Sequence, residues 1–313
     1  MKILITGSKG FIGSHLADAL IKKGHKIIDY DLKDGNDVLD LKNIKEKGKD
    51  VDGIVDFAAV QRVITGFNYP FKTIETNIMG LKNVLEVALG NKAFLLFGSS
   101  KTVYGKPERL PVKEDDPKNP TNIYSLTKLA SEMIINDFCR NYKLRAAIVR
   151  FSTVFGSDRD LLDRAIPTFM YKAIKNIDLK VEDPERTLDS TFIDDIIPCL
   201  VKLVEKLKNE KEGFYDSFNM VSGSEFKIKD IVEIILEIVN SKAKIIETTG
   251  ARSYDFGAFT GDCSKIKEQL GFRSTEFKVA LKIYYKRFLD ALNAGKFKQE
   301  DIDYMLNYYN RKW

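Results

Sequence analysis

Residues 2–16 read KILITGSKGFIGSHL. The apolar run Ile3-Leu4-Ile5 ends in Thr6, glycines follow at 7, 10 and 13, and Phe11, Ile12 and Leu16 resume at helical spacing. The stretch reads as a strand, a tight turn and a helix. Glycine permits the turn, lets backbone N–H groups approach a bound group, and lets the helix lie close on the strand. The helix N-terminus presents free N–H groups and partial positive charge, which suit a phosphate. A glycine triplet alone also fits an ordinary βα turn. The next apolar run, at 26–30, closes on Asp31. An acid at that strand end is placed to hydrogen-bond ribose hydroxyls and to repel a 2′-phosphate, so the unit reads as a dinucleotide site that prefers NAD to NADP. Asp29 is the other candidate acid, and Lys33 stands nearby.

The pattern continues outward. Apolar runs at 3–6, 26–30, 53–58, 93–97 and 146–151 alternate with helical stretches at 14–23, 71–89 and 124–142. Continuous apolar strands are covered on both faces, and strand–helix alternation gives right-handed βαβ units. The expected fold is α/β, a Rossmann-type doubly wound parallel sheet. After Phe151 the chain becomes loop-rich and charged, with helices expected near 166–175, 194–207, 229–240, 264–270 and 276–294 and a strand at 213–220. The expected organisation is a nucleotide-binding domain over 1–155, which 190–220 rejoins. A smaller, interleaved α/β substrate lobe takes 156–189 and 221–294, and a polar, tyrosine-rich tail takes 295–313.

Composition excludes several classes. Of 313 residues, 44% are hydrophobic and 30% charged, a globular balance. Fifty Lys and Arg against 45 Asp and Glu leave +5 with no basic block, so nucleic acid is not an expected partner. Cys139, Cys199 and Cys263 are too sparse for a disulfide framework, and no Cys/His cluster offers a metal site. His15 and His25 are the only histidines, which leaves little for a histidine-based hydrolase. No leader pattern and no run of 18 apolar residues is read, so a cytoplasmic protein away from membranes is expected.

Tyr124 and Lys128 stand four residues apart within a helical stretch, on one face. A neighbouring cation favours a phenolate, so Tyr124 can serve as a general base toward a sugar hydroxyl. The strand before it ends in Gly98-Ser99-Ser100, which puts a hydroxyl at the carboxyl end of a strand, where α/β sheets bind ligands. Ser100 can share the same substrate oxygen and relay its proton.

With these residues in view, the chain resembles the extended short-chain dehydrogenase/reductase family, in its nucleotide-sugar epimerase/dehydratase branch. The resemblance rests on TGSKGFIGSHL, Asp31, FAA at 57–59, Asn77, GSSKTVYG at 98–105, YSLTKLASE at 124–132, RFSTVFG at 150–156, IPTF at 166–169, DSTFIDDI at 189–196, FNMVSG at 218–223, Arg252 with Asp255, and DCSKIKEQLGF at 262–272. It implies that Gly7, Gly10, Phe11, Ile12 and Gly13 cradle a pyrophosphate and Asp31 takes the ribose. Asp40 and Leu41 would flank the adenine, and Ala58, Ala59, Asn77 and Phe151 would line the cofactor channel. Ser100, Tyr124 and Lys128 would form the catalytic set, with Lys128 also on the nicotinamide ribose. Thr102, Thr153, Arg252, Asp255 and Phe259 would meet the sugar nucleotide.

Within that resemblance, dehydratases carry an Asp-Glu pair after the catalytic hydroxyl, and decarboxylases usually keep the Glu. This chain has Lys101 and Thr102, closer to the ATVYG of UDP-galactose 4-epimerases; Lys101 also fits a solvated loop residue. The implied reaction is epimerisation at C4 of a nucleotide-diphosphate sugar, UDP-glucose/UDP-galactose first, through a transient 4-keto sugar. Other keto-sugar chemistry of the branch (a 2-epimerase, a reductase, a uronic-acid or deoxysugar epimerase) and a non-catalytic NAD-binding scaffold are the alternatives. Leu188 stands where members usually have the second diphosphate arginine, and Arg186 is the available substitute. Thr153 replaces a common Asn. Phe259 matches a gate beside the sugar C2 substituent but equally fits plain core. Members commonly form homodimers through helices matching 77–89 and 124–142, with Leu129, Met133, Ile134 and Phe138 as candidate surface.

Overall fold

The computed structural model describes residues 1–248 and 258–308. The strands are β1 Lys2–Thr6, β2 Lys26–Tyr30, β3 Gly53–Asp56, β4 Phe94–Ser100, β5 Ala146–Phe151, β6 Thr153–Phe155, β7 Leu179–Glu182, β8 Thr187–Leu188, β9 Ser190–Phe192, β10 Tyr215–Met220, β11 Phe226–Lys227 and β12 Ile245–Thr248. The helices are α1 Phe11–Lys22, α2 Leu41–Lys47, α3 Val63–Asn68, α4 Pro70–Ile74, α5 Gly80–Asn91, α6 Ile123–Tyr142, α7 Ala165–Ile174, α8 Ile193–Asn209, α9 Ile228–Val239, α10 Ser264–Leu270, α11 Phe277–Asn293 and α12 Gln299–Tyr308. A π-turn at Glu75–Met79 joins α4 to α5.

Six parallel strands form the central sheet in the order β10-β5-β4-β3-β1-β2. Alternate side chains go to opposite faces of a strand. Ile3, Ile5, Val55, Leu96, Ala147 and Val149 therefore join the core beneath α1 and α8, while Leu4, Ile54, Leu95, Phe97 and Ile148 join the core beneath α5 and α6. Both faces are covered, and that is why the strands read as unbroken apolar runs. The larger core continues into the later part of the chain, where β6 pairs with β9, β8 with β11 and β7 with β12. The tyrosine-rich tail contains α12, whose Ile302 and Met305 are buried against that core.

Two buried polar hubs tie these parts together. Glu132 on α6 accepts from Ser99 Oγ at 2.5 Å and from Arg150 of β5, whose Nη2 lies 2.7 Å from Oε2. Arg150 Nη1 then donates to Tyr104 Oη and to the Glu114 carbonyl, both at 2.7 Å, and Tyr104 donates to Asn219 Oδ1 of β10. The second hub is Asp189, between β8 and β9. Its carboxylate accepts from Ser222 N and Oγ, Gly223 N and Gly261 N at 2.8 to 3.2 Å, and its carbonyl accepts from Thr153 N and Ser152 Oγ.

All three cysteines are buried and unpaired, and among the described residues no helix is long and apolar enough to cross a membrane. Deleting one partner of a buried ion pair strands a charge in the interior. Glu132→Ala should therefore cost about 3–5 kcal/mol in urea unfolding, and Glu132→Leu with Arg150→Met should recover most of it. Equal losses in the single and double variants would contradict a stranded charge as the cause.

Candidate active site

The glycine turn is fixed by sterics. Gly7 has φ +67°, and a Cβ there would fall 2.8 Å from the Phe57 backbone carbon. A Cβ on Gly13 would overlap the Gly7 carbonyl oxygen. The first turn of α1 can approach β1 only as glycine, and the backbone around it stays open to a cavity. Asp31, buried at the end of β2, accepts from Lys9 N and Lys33 N at 2.9 Å each, so it also ties the turn to the strand.

This cavity, about 440 Å³, is lined by Gly7, Gly10–Gly13, Asp31, Ala58, Ala59 and Lys128 among others. Asp40 and Leu41 do not line it. Asp40 is exposed and caps α2 through Asn43 N, and Leu41 packs toward the second core; Asp37 and Val38 hold that end of the cavity. Asn77 does not line it either. Its amide is buried, bonded to the Val60 N–H and carbonyl and to Thr127 Oγ1, so it pins the chain after β3 to α6.

A second cavity, about 310 Å³, shares Ser100, Tyr124, Phe151 and Arg164 with the first. Lys101, Thr102 and Thr153 line it, with Lys180, Arg186 and Leu188 from the later part of the chain. The two cavities meet at the Ser100–Tyr124 pair.

Local structure sets that pair. Asn122 and Ser125 form a reciprocal capping box that fixes the first turn of α6, where Tyr124 sits. Gly66 of α3 packs so close that a Cβ on it would lie 2.9 Å from Tyr124 Cβ. Ser100 ends β4, accepts from Thr102 N at 3.2 Å and Thr102 Oγ1 at 3.0 Å, and lines both cavities beside the Tyr124 phenol. Because Thr102 donates to Ser100, the Ser100 proton is available for Tyr124.

The electrostatics differ from the expectation drawn from the Tyr124/Lys128 spacing. Burial pushes the Tyr124 phenol above its ordinary value, opposed by Ser100 and then by the charge of Arg164. Lys128 instead donates to the Gly98 carbonyl at 2.7 Å, with its ammonium 4.7 Å from the centre of the Phe97 ring. Burial brings its amine down to about 8, against the pull of Asp56 and Glu132. Same-face spacing brings the two side chains onto one site, but the lysine ammonium is bonded to the Gly98 carbonyl near the strand end.

Phe259 does not line the cavity formed by the described residues. It is buried, with the Lys101 ammonium 4.7 Å above its ring and Tyr104 on another side, so it is a core side chain that carries Lys101. Arg252 and Asp255 lie outside the described residues. Arg164 and the Arg62–Asp163 pair are site features the sequence reading missed. The only sequence signal was the place of Arg164 just before IPTF.

Parallel sheet, glycine turn, strand-end acid and a Ser-Tyr-Lys set at the join of two cavities define a dinucleotide-dependent enzyme of the short-chain dehydrogenase type. Residues 3–220 match the NAD dependent epimerase/dehydratase family, and the chain belongs to it, with NAD as the cofactor of that family. The chain is 26% identical to the UDP-glucose 4-epimerase of Corynebacterium glutamicum, covering 87% of this chain and 90% of that one. It is 28% identical to the UDP-N-acetyl-alpha-D-glucosaminuronate decarboxylase of Bacillus cytotoxicus, covering 87% and 92%. The fold is similar to that of the Thermotoga maritima UDP-glucose 4-epimerase with UDP-glucose, at TM-score 0.86 and 22% identity over 93% of this chain and 100% of that one.

Two expectations follow. Gly13→Ala should strip NAD from the purified protein, read as the nucleotide released on acid denaturation; retention at the wild-type level would contradict the steric argument. Asp160, buried with Arg164 3.8 Å away, is pushed up to about 7 by burial. The unfolded chain releases that proton near ~4, so this group's contribution to stability falls as pH rises from about 4 to about 7. The Tm of Asp160→Asn relative to wild type should climb across that window and level off above it. A difference that does not vary with pH would rule this out.

Proposed function

We propose that this protein is an NAD-dependent 4-epimerase acting on the glucose/galactose skeleton of a UDP-sugar. The observation that carries the reading is the Ser100–Tyr124 pair at the join of two cavities, followed by Lys101 and Thr102 rather than by carboxylates. Epimerisation at C4 needs one group that takes a proton from the C4 hydroxyl and returns it. Loss of water across C5 and C6 needs a further acid and base, which Lys101 and Thr102 do not supply.

Gly7, Gly10, Gly13 and Asp31 would hold NAD, which would supply a hydride acceptor and donor for C4. The chain's own residues handle the proton and the positioning. Tyr124 takes the C4 hydroxyl proton directly or through Ser100. The Arg164 charge favours the phenolate against the burial that opposes it. Phe57 and Phe151, in edge contact at 5.6 Å, wall the join with apolar surface. Arg186 lines the substrate cavity together with Leu188, which supports it as the substitute diphosphate arginine. The reaction regenerates its cofactor in each turnover, so tight retention of NAD is expected.

A homodimer is part of the reading. On α6, Leu126 and Met133 are exposed, while Leu129, Ile134 and Phe138 are partly buried against the protomer's own core. Phe71 and Ile74 on α4 and Met79 beyond it are also exposed, and α4 packs beside α6. Adjacent helices with exposed apolar side chains suit a four-helix contact with a second copy. Met133→Glu should give a monomer by light scattering where the wild type gives a dimer.

Proton NMR of UDP-galactose with purified protein and no added cofactor should show the UDP-glucose anomeric signal. Tyr124→Phe should lower kcat by about 10²–10⁴-fold while NAD stays bound. Absence of the signal with NAD present in the protein would sink this substrate pair.

A further inference from the structure

Asp160 and Arg164 lie in the segment between β6 and α7, which contributes to the walls of both cavities. Asp160 is withdrawn from water, its side chain only 1% exposed. Its Oδ1 accepts from the Leu161 N–H at 2.8 Å, and its Oδ2 has no hydrogen-bond partner. Arg164 is the N-cap residue of α7, which fixes its backbone. Its Nη1 donates to the Val154 carbonyl at 3.1 Å and stops 3.8 Å from Asp160 Oδ1, beyond hydrogen-bond reach. The guanidinium is thus tied beside a buried carboxyl, while Arg164 lines both cavities together with Tyr124.

A carboxylate with an unbonded, unhydrated oxygen is costly to ionise. The same burial pushes Asp160 up to about 7, so both of its forms are populated near neutral pH. Arg164 and Arg62 favour its ionised form, and Asp163 opposes it. Tyr284 of α11, a buried phenol whose hydroxyl also has no partner, faces Asp160, Arg164 and Asp158. Beside a neutral carboxyl, Arg164 acts as a full positive charge. Beside a carboxylate it is half of an ion pair, whose field falls off faster with distance. The Arg164 charge reaches Tyr124, where Ser100 is the other group that favours the phenolate. Lys128 is bonded to the Gly98 carbonyl and is the same in either state of Asp160.

We infer that Asp160 is a positioning residue of the catalytic set: acting through Arg164, its buried carboxyl sets how readily the Tyr124 phenol gives up its proton. The inference rests on the reading of Tyr124 as the base.

The test is titration of Tyr124 itself, in NAD-saturated protein isotope-labelled at tyrosine Cζ and followed by NMR from about pH 6 to about pH 11. The Tyr124 resonance is the one missing from Tyr124→Phe. Asp160→Asn keeps the shape and removes the charge, and should lower the Tyr124 midpoint by roughly 0.5–1 pH unit. Arg164→Gln should raise it by a similar amount. In the Arg164→Gln background most of the Asp160→Asn shift should vanish. A thermal melt checks that each variant folds, with Asp160→Ser as the replacement for a variant that does not. An unmoved midpoint in Asp160→Asn would overturn the proposal. So would an equal shift in both backgrounds, because that is a through-space effect of the carboxylate and not one carried by Arg164. The titration uses no substrate. Lack of turnover on UDP-galactose therefore counts against the C4 reading alone, and a shifted, Arg164-dependent midpoint still supports the role of Asp160.

Discussion

The site depends on one buried ion pair. Glu132 and Arg150 are both withdrawn from water, and a pair so placed is stable only when its remaining donors and acceptors are met. Here they are met by Ser99, Tyr104 and the Glu114 carbonyl. The partners come from β4, α6, β5 and the segment after β4. Ser99 adjoins Ser100, and Glu132 lies one helical turn beyond Lys128 and two beyond Tyr124. The ion pair therefore fixes the distance between the strand end and the helix face that carry the reacting groups. The capping box at Asn122 fixes the other variable, the rotation of the first turn of α6.

What could be read in the sequence was what depends on neighbours in the chain. Apolar runs at 3–6 and 146–151 marked strands because both faces of the sheet are covered. The glycine turn was legible because a Cβ at 7 or 13 collides with backbone only a few residues away or on the adjacent strand. The Tyr124/Lys128 spacing brought both side chains to the site. Choices of partner across the fold were not legible. Lys128 settles on the Gly98 carbonyl, Asn77 on Val60 and Thr127, and Phe259 beneath Lys101. Each is decided by packing between segments 17 to 158 residues apart. Gly66 gave no local signal for the same reason. Asp40 had the character of a binding acid but serves as the N-cap of a short helix that the periodicity did not show.

The chemistry and the selectivity are carried by different kinds of structure. Ser100, Tyr124 and Lys128 sit on the sheet and on a 20-residue helix, locked by buried hydrogen bonds. Lys101, Lys180 and Arg186 sit on turns and at short strands. Binding groups on loops over a rigid scaffold can change without disturbing the core. Relatives with decarboxylase and epimerase names on one fold fit that division.

Asp189 has a consequence for how the molecule comes apart. One carboxylate and its carbonyl gather the chain at 152–153, 222–223 and 261, which belong to the ends of two sheet strands and to the segment leading into α10. Displacing Asp189 would release the donors of all three at once. The ends of these strands and the segment leading into α10 are therefore tied through one residue. Slow amide exchange is expected at Ser222, Gly223 and Gly261, whose N–H groups are bonded to this buried carboxylate, and not in the sheet alone.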